Sequence, residues 1–168
     1  RKEVLKYLEL IAEPAKAADA NFIAFKNGVY DVAHETMVPP SPDLILTNRI
    51  EHNFNPAAYS ELMDSTLNKL ACQDKDIRAL LEECVGYCFY RRNELGKAFI
   101  LTGDKSNGKS TFLDVVAAIL GEDNISTLDI KELGDRFSTS MMFGKLANIA
   151  DDIGDDFLQG TQVSVFKK

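Results

Sequence analysis

The segment GDKSNGKS sets Gly103 ahead of Gly108, with Lys109 and Ser110 following directly. This G-x-x-x-x-G-K-[ST] spacing suits a loop that wraps a polyphosphate. Glycines let the backbone turn tightly enough to aim several N–H groups at phosphate oxygens. A helix starting near Lys109 adds the positive end of its dipole. Lys109 then supplies a point charge for the outer phosphates, and Ser110 offers a hydroxyl to Mg²⁺. The competing reading makes the glycines ordinary turn residues and Lys109 a solvated lysine. Against it, a lysine at the positive end of a helix is unfavourable unless an anion binds there.

Such a loop needs an acidic partner at the end of a neighbouring strand. LANIADDI offers Asp151 and Asp152 after an apolar run. Neighbouring residues on an extended chain point in opposite directions, so the two need not share one role. Asp151 is assigned to the Mg²⁺ shell and Asp152 to polarising an attacking water, roles that the spacing leaves exchangeable. The competing reading is a solvated acidic turn, since Asp155 and Asp156 follow. Arg91, Arg92 and Arg136 show no clear pattern of a catalytic arginine, and Arg91 and Arg92 read as solvated linker residues.

The elements that would hold these groups follow from periodicity. From Lys97 onward the order reads strand (AFIL), loop, helix (STFLDVVAAIL), strand (Ile125–Leu128), helix (IKELGDRF, capped by Asp129 with Glu132) and strand (LANIA). Alternation of this kind predicts an α/β layer structure with a mostly parallel sheet. Upstream, Val4, Leu5, Leu8, Ile11 and Ala12 have helical spacing, and Asn27-Gly28 suits the tight turn of a β-hairpin. LILTNRI is a candidate strand. Helices are expected over AAYSELMDSTLNKL and between Asp74 and Phe89, their apolar stripes packed into a core. The polar run Arg91–Gly96 suggests two units, a mainly helical lead domain over 1–93 and an ATPase core over 94–168.

The 168 residues carry 26 acidic against 19 basic side chains, a formal charge of −7. Neither half looks like a self-sufficient nucleic-acid clamp, although a ring could line a narrow pore with a few lysines. No apolar run approaches the ~20 residues of a membrane span, and the charged start does not resemble a signal peptide. Cys72, Cys84 and Cys88 form no disulfide framework; with no ligand pattern completed by His34 or His52, they read as reduced thiols of a cytosolic protein.

GDKSNGKST, the paired aspartates of LANIADDI, FIAFKNGVYD, the Asn55-Pro56 before the first long helix and GYCF together resemble superfamily 3 helicases. The match is to the phage and plasmid primase-helicases, related to those of poxviruses. The resemblance implies a P-loop NTPase core after a small, mainly helical domain with a β-hairpin. It implies ATP and Mg²⁺ held by Gly103, Asp104, Lys105, Ser106, Asn107, Gly108, Lys109, Ser110 and Thr111, with Lys109, Asp151 and Asp152 catalytic. Asn107 matches the Asn that this family tends to place before Gly-Lys-Ser. Lys167 and Lys168 fall where a segment leads toward a DNA-contacting hairpin. Implied partners are single-stranded or forked DNA, five further copies in a homo-hexamer, and a primase domain in the same polypeptide, in the cytoplasm of a bacterial host. The chain starts without Met and reads as a piece. A strand bearing a polar γ-phosphate sensor is expected beyond Lys168, so this piece is expected to be a poor ATPase. Alternatives are a nucleotide-binding oligomerisation or helicase-loader module without turnover, and a P-loop small-molecule kinase.

Overall fold

The computed structural model describes residues 2–11, 16–129, 131–135 and 137–150. Helix α1 spans Lys2–Ile11, as the spacing predicts. Val4 and Leu5, two of the spaced apolar positions, are exposed.

Strands β1 (Phe22–Phe25) and β2 (Gly28–Asp31) form the expected hairpin, with Phe25 opposite Gly28. Its two-residue loop is Lys26-Asn27 rather than Asn27-Gly28, and only Gly28 has a positive φ, +148°. The side chain of Asn27 explains the register. Its Nδ2 donates to Phe54 O (3.0 Å) and its Oδ1 accepts from Phe54 N (2.8 Å), which binds the turn to a distant loop. A third antiparallel strand, β3 (Thr36–Val38), was not foreseen; it ends where Pro39 and Pro40 remove ladder donors. LILTNRI forms no strand. It contributes one parallel bridge, Phe25 to Ile50, in which Ile50 N donates to Ala24 O at 2.8 Å.

Helix α2 (Glu61–Leu70) starts at Ser60, whose hydroxyl accepts from Met63 N. Helix α3 (Lys75–Phe89) starts at Asp74, whose carboxylate accepts from the amides of Asp76 and Ile77. Each cap satisfies orphan donors of a first turn. Arg78 joins the helices by donating to Asp64 O, Asp64 Oδ1 and Asn68 Oδ1 while pairing with Glu82.

AFIL does not form a buried strand. Phe99 and Ile100 are 45% and 51% exposed, and no described strand lies beside them to accept a ladder. Helix α4 (Lys109–Leu120) matches expectation. Its Phe112, Val116 and Leu120 are buried and form the core with Ile50 and Cys84. Burying a side chain of this size is worth roughly 1.5–3 kcal/mol. The core therefore draws on residues from both sides of position 94.

Strands β4 (Ile125–Ser126) and β5 (Ala147–Asn148) pair in parallel, Ile125 with Ala147 and Ser126 with Asn148. Bonds from Leu146 N to Asn124 O and from Ile149 N to Ser126 O extend this ladder. It is the only parallel sheet among the described residues, smaller than the sheet expected from sequence. Between the strands, the predicted helix over IKELGDRF is reduced to a 3₁₀ turn, Glu132–Gly134. Half of its capping box forms, Asp129 N donating to Glu132 Oε2 at 2.9 Å. A short segment containing Gly134 does not offset the cost of helix nucleation. The result is a mixed α/β fold. No described helix is long and apolar enough to cross a membrane.

Candidate functional site

The loop entering α4 makes its turns with left-handed and related backbone geometry. Gly103 has φ +151°, Ser106 +58° and Gly108 +89°. At two of these positions the glycine also answers a close approach. A Cβ on Gly103 would lie 2.0 Å from Asn107 Nδ2, and one on Gly108 2.3 Å from Leu70 Cδ2 of α2. Ser106 holds its left-handed turn with a side chain, a conformation that costs of order 1–3 kcal/mol and concentrates at functional sites.

Gly108 stands at the N-cap of α4 and, being a glycine, makes no side-chain cap bond. The start of a helix carries the positive end of its dipole, which favours an anion. Lys109 stands at the first helical position. Its Nζ curls back over the loop and donates to Gly103 O (2.9 Å), Asp104 O (2.8 Å) and Asn107 Oδ1 (2.9 Å). A cation is thus held over the turn by the turn's own oxygens. Asp104, Lys105, Ser106, Asn107 and Thr111 are exposed around it.

Ser110 lines a cleft of about 470 Å³ between α4, β4 and the end of β5. Asp114 of α4, together with Thr127 and Asp129 beyond β4, gives this cleft its polar wall; Leu113, Ile125 and Ile149 give the apolar one. Asp129, foreseen only as a helix cap, faces the same cleft as Ser110. Asp151, Asp152, Lys167 and Lys168 lie outside the described residues, as does Arg136.

Several positioning residues escaped the sequence reading. Asn148 ties β5 to the end of β4 by accepting from Leu128 N and Ser126 Oγ and donating to Leu128 O. Asn124, only 6% exposed, donates to Leu120 O and Arg49 O, which fastens the C-terminal end of α4 to the segment before Ile50. The available signal was a polar residue inside an apolar run, as in LANIA. Arg91 is a correction: instead of a solvated linker residue, it is half-buried and donates from Nη2 to Ala18 O (3.0 Å) and Asp19 O. Burial pushes its pKa down, and its Nε has no partner among the described residues. Arg92 stays half-exposed, paired with Asp19 and Glu94. Burial raises the pKa of Cys84 and of Cys88, which suits packed thiols rather than reactive ones.

Residues 1–85 match the family described as D5 N terminal like. Residues 101–168 match a family of unknown function, DUF5906. The first match spans half of the chain and ends within α3, and the second begins just before the loop at Gly103. The chain belongs to the D5-like phage and plasmid primase-helicase superfamily.

Proposed function

We propose that the loop Gly103–Ser110 and Thr111 bind the phosphates of ATP, and that the protein is the motor part of an ATP-driven DNA helicase. In this reading residues 94–168 belong to a P-loop NTPase core and 1–93 to a lead domain. The observation that carries it is the Lys109 ammonium, fixed over a tight turn at the start of α4. Membership of the D5-like superfamily supports a motor role of this kind.

The residues present suit a nucleotide with its divalent ion. A Cβ on Gly103 would meet Asn107 within the loop and one on Gly108 would meet Leu70, and the Lys109 cation lies over the loop. Lys109 would meet the outer phosphates, while Ser110 and Asp151 would hold Mg²⁺. Bound Mg²⁺ neutralises phosphate charge and so lowers the cost of charge build-up during transfer. Asp152 would accept a hydrogen bond from the attacking water and orient it toward the γ-phosphorus. Lys167 and Lys168 would contact DNA, in a hexameric ring of copies.

The test is ATP hydrolysis by the full-length protein with and without single-stranded DNA. Stimulation by DNA that disappears in Lys109→Ala is the expected result. Undiminished hydrolysis in that variant would overturn the role given to the loop.

A further inference from the structure

We propose that Asn107 is a positioning residue, whose carboxamide oxygen keeps a place on Lys109 that a phosphate oxygen takes over when nucleotide binds. This rests on the phosphate-loop reading above and adds how the loop is kept ready. A lysine ammonium has three hydrogens to donate. On Lys109 they meet three oxygens, those of Gly103 O, Asp104 O and Asn107 Oδ1, at 2.8–2.9 Å. A phosphate oxygen can join this cation only by displacing one of them.

The three acceptors differ in how readily they leave. Two are backbone carbonyls built into the turns at Gly103 and Ser106, so moving them means refolding the loop. The third sits on a short, exposed side chain with two rotatable bonds. The same carboxamide presses its Nδ2 into the space a Cβ on Gly103 would fill, 2.0 Å from that position. Gly103 is thus matched to Asn107 as well as to the turn.

Exchange favours the ligand. A neutral amide oxygen gives way to an anionic one, which adds attraction between two full charges. Until the exchange, Asn107 keeps a flexible lysine aimed at one spot, so less rotamer freedom is lost when the anion arrives. An aspartate at 107 would do the opposite. Its carboxylate would pair with the ammonium and compete with phosphate for it.

The experiment uses the whole chain with Asn107→Ala and Asn107→Asp, after circular dichroism and melting show each variant folded. Two quantities are measured: acylation of Lys109 by an amine-reactive ester without nucleotide, followed by mass spectrometry, and affinity for a fluorescent ATP analogue with Mg²⁺. The acylation rate should run Asn107→Ala above wild type above Asn107→Asp. Affinity should fall more than about tenfold in Asn107→Asp and only about threefold in Asn107→Ala. A purely structural asparagine would shift both variants in one direction. Unchanged acylation in Asn107→Ala, or undiminished affinity in Asn107→Asp, would overturn the inference alone. Wild type that fails to bind the analogue would overturn the loop reading and this inference with it.

Discussion

Asn148 and Leu128 exchange two hydrogen bonds: Leu128 N donates to Asn148 Oδ1 and Asn148 Nδ2 donates to Leu128 O, each at 2.9 Å. A side-chain amide thereby prolongs the two-residue ladder of β4 and β5, and a third bond comes from Ser126 Oγ at 2.8 Å. Replacing Asn148 with Ala should destabilise the protein by about 1–3 kcal/mol, because partly buried groups lose their partners. Urea denaturation followed by circular dichroism checks this. A cost near zero would show that water replaces the carboxamide without penalty.

Gly108 is constrained twice, by its φ of +89° and by Leu70 Cδ2 standing 2.3 Å from where a Cβ would sit. Gly108→Ala should cost about 1–3 kcal/mol from backbone strain. Contact with Leu70 should add to it, although that side chain can rotate. A double-mutant cycle with Leu70→Ala separates the two contributions, since only the contact couples the sites. Full additivity would show that Leu70 moves aside freely.

Acid sensitivity should depend on Asp31. Its carboxyl accepts from His34 Nδ1 at 2.7 Å and from the amides of Ala33 and His34, and the His34 side chain is the main cause holding its pKa below the ordinary 3.8. A depressed carboxyl stabilises the fold above its unfolded pKa, and that contribution is lost as pH falls through the lowered value. Melting temperatures at pH 6 and pH 3 should therefore differ less in Asp31→Asn than in wild type. An equal fall in both proteins would place the acid-sensitive group elsewhere.

Local chemistry explains what could be read in advance. Asp74 begins α3 because a carboxylate two and three residues before free amides satisfies them without help from elsewhere. The loop from Gly103 to Lys109 is equally local, since its bonds close within six residues. AFIL is different. Its apolar character suits a strand, but a strand exists only where another backbone lies alongside, and no described one does. The hairpin turn shifted by one residue because Asn27 answers to Phe54, 27 positions away. Arg91 looked like surface charge until the carbonyls of Ala18 and Asp19 folded onto it. Asp151 and Asp152 remain a proposal that rests on spacing and resemblance.

Because Gly108 lies against Leu70, a side chain rather than backbone sets the spacing between the start of α4 and α2. Helix α2 is in turn roped to α3 through Arg78. The room beside the loop on that side is therefore set by the rotamer of Leu70, a side chain that belongs to the helical pair.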